Sequence, residues 1–209
     1  MPKRSMRREM AAKTPDTAKA VVPNKSKICH QMASIIVSPS LFSCYDRRKF
    51  FAKETPSTMT KDEFYMGKAL AEAKTAYAVG EIPIGAIIVY EKKVVARAYN
   101  LRESLPCATA HAELLAIEKA CRALNRWRLT GCTLYVTVEP CPMCAGAIVN
   151  SRLDRVVYGC DDPKAGAVRS LFQLVDNNRL NHRTEVTAGV RAEECAALMK
   201  SFFRQRRKR

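Results

Sequence analysis

The sequence lacks any apolar run approaching the roughly 18 residues that a membrane-spanning helix needs. Its most apolar stretch before residue 59, around residues 35–37, is interrupted by serines and a proline and lies too far from Met1 for an ordinary secretory signal. No internal repeat is evident. We therefore predict that the protein has no contact with a membrane.

Acidic residues are few relative to basic ones. The chain has 36 lysine and arginine residues against 20 aspartate and glutamate residues, a formal net charge of +16. A charge of this size attracts polyanions, nucleic acid first among them, although a solubilising surface or a basic tail would give the same value. The charge alone therefore does not decide between these explanations.

The nine cysteines do not form the framework of a disulfide-stapled domain. Only Cys141 and Cys144 form a tight pair, and the chain is large enough to fold without staples. Reduced thiols fit better and predict a cytoplasmic protein. Cys121 and Cys195 lie beside alanines and leucines at helical spacing, which predicts that they are small core residues.

Residues 1–58 differ in character from the rest of the chain. They are basic, contain several prolines and show no sustained periodicity, so we predict a poorly ordered N-terminal extension followed by one domain over residues 59–209. Three explanations of the extension remain open: an RNA-contacting tail, an organellar transit peptide, or translated sequence upstream of a true start at Met59.

From Thr60 onward, helical and strand patterns alternate. Thr60 to Glu63 has the form of a capping box, and an apolar stripe at Met66, Leu70, Ala73 and Tyr77 predicts a helix that ends at Gly80. Further helices are predicted at 111–124, at 141–149 and from 191 onward. Strands are predicted at 84–90, 94–99, 133–138, 155–158 and 184–187, with a polar turn at 91–93 and a loop with a helical turn at 161–175. The alternation predicts an α/β fold whose sheet is covered on both faces.

Four side chains form the constellation with the clearest chemistry. His111 opens one predicted helix, Cys141 and Cys144 open another, and Glu113 follows the histidine by two residues. An imidazole and two thiolates are zinc ligands, and three of them leave the fourth tetrahedral position for water. A carboxylate beside such a site can take and return the proton of that water.

A closed structural site is the alternative to this arrangement. Cys107 lies four residues before His111 and could reach the metal as a fourth ligand. In that case Glu113 would have no chemical role beyond complementing the dipole of its helix. The number of protein ligands on the metal distinguishes the two sites.

These motifs together resemble the bacterial tRNA-specific adenosine deaminases of the cytidine-deaminase-like superfamily. The resemblance covers roughly residues 60–207. Its residues are Glu81 to Ala86, Tyr99-Asn100, Thr109 to Glu113, Thr133 to Cys141, Met143 to Ala147, Asn181-His182-Arg183 and Phe202 to Arg207. The chain departs from the family at Cys107-Ala108, where the family usually has Asp-Pro.

The resemblance implies a specific fold and a specific site. The fold would be a three-layer α/β/α sandwich with a mixed five-stranded sheet. One Zn²⁺ per subunit would be held by His111, Cys141 and Cys144, and Glu113 would be the proton shuttle. Asn100 would bind the flipped adenine. The RNA contacts implied by the resemblance and by charge are Asp162, Lys164, Arg204, Arg206 and Arg207.

The function implied is hydrolytic deamination of the wobble adenosine of a tRNA, usually an arginine tRNA, to inosine by a homodimer. A deaminase of a free base or nucleoside, such as cytosine or guanine, is the first alternative, and the cationic C-terminal helix argues against it. A non-catalytic RNA-binding subunit with structural zinc is the second, and the presence of Glu113 argues against it.

Overall fold

The computed structural model describes residues 59–207, so the predicted extension at residues 1–58 lies outside the described residues. Four helices and five strands follow one another along the described chain. In order they are α1 (Lys61–Ala78), β1 (Gly85–Tyr90), β2 (Lys93–Tyr99), α2 (Ala112–Ala123), β3 (Cys132–Val138), α3 (Pro142–Asn150), β4 (Arg155–Cys160), β5 (Glu185–Thr187) and α4 (Ala192–Arg206). Each predicted helix and strand is present, with ends that differ by a few residues.

Both ends of α1 are closed by local hydrogen bonds. At the start, the Glu63 N–H donates to the Thr60 hydroxyl, and the Thr60 N–H donates to the Glu63 carboxylate at 2.7 Å, which confirms the capping box. At the end, Gly80 adopts a φ of +82°, a conformation that favours glycine. The helix therefore ends at Gly80, as predicted.

The five strands form one mixed sheet in the order β2-β1-β3-β4-β5. β1 pairs antiparallel with β2 and with β3, whereas β3, β4 and β5 are parallel. The β1–β2 turn is one residue shorter than predicted, because Lys93 already pairs with Tyr90. Glu91 and Lys92 both have positive φ, the backbone that suits the twist of a two-residue hairpin.

Alternate residues of the central strands face opposite layers of helices. Ile88, Leu134 and Val156 belong to the core under α2 and α3. Ile87, Tyr135 and Val157 belong to the core under α1 and α4. This period-two pattern buries both faces of the sheet and confirms the three-layer α/β/α fold.

Two local predictions are refined by the structure. Residues 161–175 form a loop with one helical turn, closed by the bond from the Gly166 N–H to the Asp162 carbonyl at 2.8 Å. No longer helix follows, because several of the next N–H groups donate to a buried side chain described below. Tyr77 is only half-buried and contacts α4, where its ring meets Phe202 edge-on; Ala76 is the residue buried at that end of α1. Within residues 59–207, no helix combines the length and apolarity needed to cross a bilayer.

A partly buried ion pair ties the start of α1 to the sheet. Both oxygens of Asp62 accept from the Arg155 guanidinium, at 2.9 and 2.8 Å, and Oδ1 also accepts from the Tyr135 hydroxyl at 2.8 Å. Exposed Glu185 pairs with the same arginine at 3.1 Å. The hydrogen bonds from Arg155 hold the pKa of Asp62 below its ordinary value.

We expect Asp62→Ala to lower the free energy of unfolding by about 2–4 kcal/mol, because it leaves the Tyr135 hydroxyl without its acceptor and Arg155 with only the exposed Glu185 carboxylate as an ion-pair partner. Glu185→Ala is the matched control and should cost less than about 1 kcal/mol, since that carboxylate is exposed. Urea denaturation at several pH values checks both.

The pH dependence of this difference follows from the lowered pKa of Asp62. The stabilisation is fully present above the ordinary aspartate pKa of about 3.9 and is lost as pH falls through the lower pKa of the folded protein. The wild type and the Asp62→Ala variant should therefore differ by a constant amount near neutrality and converge in strong acid. A difference independent of pH down to pH 2 would contradict the assignment.

Candidate active site

The starts of α2 and α3 bring the predicted site together. His111 is the N-cap of α2 and Cys141 is the N-cap of α3, both with extended backbone (φ −78° and −73°). β3 leads almost directly into α3. Pro142 is the first residue of α3, a position where proline is well tolerated. Because the two helices pack against each other, their N-termini place the imidazole and the thiols side by side.

The three predicted metal ligands lie within bonding reach of one ion. Nδ1 of His111 is 3.7 Å from the sulfur of Cys141 and 3.7 Å from that of Cys144. Tetrahedral zinc with ordinary Zn–S and Zn–N bonds would separate a sulfur and a nitrogen ligand by about 3.6 Å. The donor set and its spacing therefore fit zinc.

Cys107 does not belong to this group. Among residues 59–207, His111, Cys141 and Cys144 are the cluster of three or more potential metal ligands. The sulfur of Cys107 instead lies 3.2 Å from the Thr109 hydroxyl, two residues along the same loop. The geometry thus supports three protein ligands rather than the closed alternative.

The pKa values of the Cys141 and Cys144 thiols are shifted in opposite directions. Hydrogen bonds from Cys144 and then His111 lower the pKa of Cys141 to about 4. The hydrogen bond to Cys141, followed by burial, raises the pKa of Cys144 well above its ordinary value. Zinc binds cysteine as the thiolate, so a cation held by both sulfurs would require Cys144 to lose its proton.

Glu113 is buried beside the metal-ligand group. Its side chain is 3% exposed, and Oε2 has no hydrogen-bond partner among the described residues. Burial is the main cause that raises the pKa of Glu113 to about 7. A buried carboxylate whose pKa lies near neutrality can both accept and donate a proton, as the predicted shuttle requires.

Asn100 is held in one orientation by a buried carboxylate. Its Nδ2 donates to Glu81 Oε2 at 2.9 Å, and the Ser104 N–H donates to Glu81 Oε1 at 2.6 Å. Glu81 is fully buried and Asn100 is 2% exposed. The amide oxygen of Asn100 is therefore directed away from Glu81.

The predicted RNA-contacting residues lie in two places. Asp162 is half-buried, and its Oδ1 accepts the backbone N–H groups of Lys164 and Ala165. Lys164 itself is exposed. Arg204, Arg206 and Arg207 are exposed at the end of α4. Arg206 also donates to the Gly80 carbonyl at 2.7 Å, so this guanidinium already has an intramolecular role.

Sequence reasoning missed Glu139 as a candidate site residue. Its carboxylate is buried next to the segment that carries Cys141 and accepts hydrogen bonds from residues 162–170. Burial alone would raise the pKa of Glu139, yet these bonds lower it to about 2. The only signal in the sequence was an acid directly before Pro140.

Comparison with known sequences identifies the family. The sequence model of the MafB19-like deaminases matches residues 60–207. The chain belongs to the MafB19-like deaminases. The match includes the predicted motifs, and it confirms the predicted enzyme class, a hydrolytic deaminase.

Curated relatives of this deaminase share most of its length. It is 53% identical over 151 residues to the tRNA-specific adenosine deaminase of Bacillus subtilis, covering 72% of this chain and 94% of the relative. It is 45% identical over 147 residues to the protein of the same name from Haemophilus influenzae, covering 70% and 85%. The family predicted from the motifs is thus confirmed.

Solved structures agree with this placement. A structure from a study of A-to-I editing by tRNA:A34 deaminases at the wobble position is 43% identical, with a TM-score of 0.62, over 65% of this chain and 98% of that one. Guanine deaminase from Nitrosomonas europaea is 24% identical, with a TM-score of 0.56, over 67% of this chain and 83% of that one. The second likeness shows only that the fold is shared.

Proposed function

We propose that this deaminase converts the wobble adenosine of a tRNA anticodon to inosine and releases ammonia. The observation that supports the proposal most directly is the Glu113 carboxylate, which is buried beside the His111, Cys141 and Cys144 donors and whose Oε2 has no hydrogen-bond partner among the described residues. Relatives named tRNA-specific adenosine deaminase, at 42–53% identity, support adenosine in tRNA as the substrate.

His111, Cys141 and Cys144 would hold zinc, one ion per subunit. When bound, zinc supplies Lewis acidity that makes water nucleophilic near neutral pH. Glu113 takes the proton of the attacking water and returns it to the adenine ring nitrogen N1. Glu113 then takes the second proton of the former water from the new C6 hydroxyl and gives it to the exocyclic amine, so that the C6–N bond breaks, C6 becomes the carbonyl of inosine and ammonia leaves.

The amide of Asn100 would bind the flipped base. Because Glu81 uses the Asn100 amino group, the amide oxygen is the atom left to accept a hydrogen bond from the base. Rigid presentation of one acceptor favours a base with a donor at the matching position.

Exposed cationic side chains would hold the RNA strand. Lys164 is exposed in the loop that contains Asp162, and Arg204 and Arg207 are exposed on the last turn of α4 and just beyond it. Their charges suit phosphates, whereas the carboxylate of Asp162 suits a ribose hydroxyl. An unpaired anticodon base is the easiest to unstack, which fits a site that acts on a single nucleotide.

The family resemblance also suggests the oligomeric state, the particular tRNA and the cellular compartment. We propose a homodimer that acts on an arginine tRNA in the cytoplasm. Large apolar side chains near the active site, Met143, Leu171 and Phe172, are 37%, 53% and 53% exposed in the single chain and would suit a subunit interface. The seven described cysteines are all free, which suits a reducing compartment. Light scattering of the purified protein should give twice the mass of one chain.

The decisive experiment compares substrates. Purified zinc-loaded protein should form inosine in an arginine tRNA anticodon stem-loop and should release little ammonia from free adenosine, cytidine, cytosine or guanine. A stem-loop with guanosine at the wobble position is the matched control. Faster ammonia release from a free base than from the stem-loop would favour the alternative function.

We expect Lys164→Ala to weaken binding of the stem-loop by about 3- to 10-fold, because one phosphate contact is lost. The slope of the logarithm of affinity against the logarithm of salt concentration should fall by about 0.7. Lys119→Ala is the control, since that ammonium is engaged with the Arg97 carbonyl. A salt dependence identical to the wild type would show that Lys164 does not touch a phosphate.

A further inference from the structure

Glu139 has no part in the proton transfers proposed above, yet its carboxylate is among the most heavily hydrogen-bonded groups at the site. It lies between β3 and α3 and is 3% exposed. Oε1 accepts three backbone N–H groups at 2.7–3.1 Å, and Oε2 accepts one backbone N–H at 3.0 Å and one hydroxyl. The donors are the N–H groups of Val168, Arg169, Ser170 and Asp162 and the side chain of Ser170.

All of these donors belong to residues 161–170, which we call the 161–170 loop. The loop contains Asp162 and Lys164, the residues proposed to contact RNA. One helical bond lies inside the loop, from the Gly166 N–H to the Asp162 carbonyl at 2.8 Å, but the N–H groups of its last three residues donate to Glu139 instead of continuing a helix. The conformation of the loop therefore depends on one side chain from outside it.

The same side chain is rigidly connected to the metal-ligand group. Glu139 precedes Cys141 by two residues, and its own N–H donates to the Cys160 carbonyl at 2.9 Å. The carbonyl of Pro140, between them, accepts the Ala167 N–H at 2.8 Å. The loop is thus attached to the segment that carries Cys141 through both side-chain and backbone bonds.

Packing around the carboxylate leaves no free space. A Cβ atom at Gly166 would lie 2.3 Å from Glu139 Oε2 and 2.6 Å from the Asp162 carbonyl oxygen. The backbone of the loop therefore rests directly on the carboxylate at Gly166. Any side chain at this position would push the loop away from Glu139.

We propose that Glu139 is a positioning residue, which sets the distance between the RNA contacts of the 161–170 loop and the His111, Cys141 and Cys144 group. The hydrogen bonds between Glu139 and the loop are observed whatever the substrate is. The statement that the loop contacts RNA rests on the proposed function. A carboxylate that served stability alone would affect unfolding but not the recognition of RNA, so kinetics separate the two roles.

The first test is Glu139→Gln. The amide keeps the shape but exchanges an acceptor oxygen for an amino group, so at least one N–H of the loop loses its acceptor. We expect KM for the anticodon stem-loop to rise by about 10-fold or more, with a smaller change in kcat and an unchanged zinc content. Val157→Ala, in the core on the other face of the sheet, controls for lost stability and should leave KM unchanged.

Gly166→Ala tests the contact from the opposite side. It leaves Glu139 and the segment bearing Cys141 intact, yet it should raise KM in the same way by displacing the loop. A double-mutant cycle gives the sharpest result. Lys164→Ala should weaken binding in the wild type but have little further effect when Glu139 is glutamine, because the loop is already misplaced. Strictly additive effects would overturn the proposal.

Hydrogen exchange tests the positioning without any use of activity. The amides of residues 162 and 168–170 should exchange faster in Glu139→Gln than in the wild type, and those of α2 should not. If the wild type failed to deaminate the stem-loop, the proposed function would fail while this exchange result could still support the role of Glu139 in the loop. The positioning role of Glu139 would be overturned if these amides exchanged at the wild-type rate in Glu139→Gln. It would also be overturned if KM were unchanged in both Glu139→Gln and Gly166→Ala.

Discussion

Glu113→Gln is expected to lower kcat for inosine formation by about 10²- to 10⁴-fold, the usual contribution of a positioned proton-transfer group. Glutamine has nearly the same shape, so it should fill the buried space that Glu113 occupies at 3% exposure. It cannot accept the proton of the attacking water or return it to the base. The effect should therefore fall on kcat, with KM for the stem-loop changed little.

The control for this experiment lies on the same helix. Glu118 is an exposed residue of α2 that pairs with Arg122, and Glu118→Gln should retain wild-type activity. Zinc content must be measured for both variants, because a carboxylate beside three ligands could also affect metal binding. If Glu113→Gln retained zinc and deaminated at the wild-type rate, the assignment of the proton shuttle would be wrong.

The central site was predictable because its chemistry is contained in side chains at fixed, short spacings. His111 and Glu113 are two residues apart, and Cys141 and Cys144 are three apart, so each pair is presented by one helix start. Only the meeting of the two helix starts required the tertiary fold, and the alternation of helices and strands already suggested it.

The conformation of residues 161–175 was not predictable in the same way. The partners of Glu139 lie 23 to 31 residues further along the chain, and most are backbone N–H groups, which every residue except proline has. No side-chain pattern records such a contact. The local sequence predicted the helical turn that closes at Gly166, whereas the N–H groups beyond it donate to the buried Glu139 carboxylate, a contact that depends on the tertiary fold.

The orientation of Asn100 was hidden for a related reason. The sequence marked Asn100 through its motif, but the amide direction depends on Glu81, which lies 19 residues earlier and is fully buried. Charged residues in loops are usually exposed, so the burial of Glu81 could be recognised only once the fold was known.

Replacing one predicted metal ligand should have an effect at least as large as the loss of Glu113. In Cys141→Ala, the metal-ligand group keeps one imidazole and one thiol, and two ligands hold zinc far more weakly than three. We expect the purified variant to contain much less than one zinc per chain and to form no measurable inosine. Extended dialysis of the wild type against a chelator should give the same loss, and added zinc should restore activity to the dialysed wild type but not to Cys141→Ala.

Cys107→Ala completes this experiment, because it separates three protein ligands from four. The sulfur of Cys107 contacts the Thr109 hydroxyl and lies outside the group of His111, Cys141 and Cys144. We therefore expect the variant to retain one zinc per chain and deaminase activity within about 2- to 3-fold of the wild type, the scale of a lost surface hydrogen bond. X-ray absorption of the wild type should show two sulfur ligands. Three sulfur ligands, together with loss of zinc in Cys107→Ala, would mean that the protein encloses the metal completely, and water could then not be activated there.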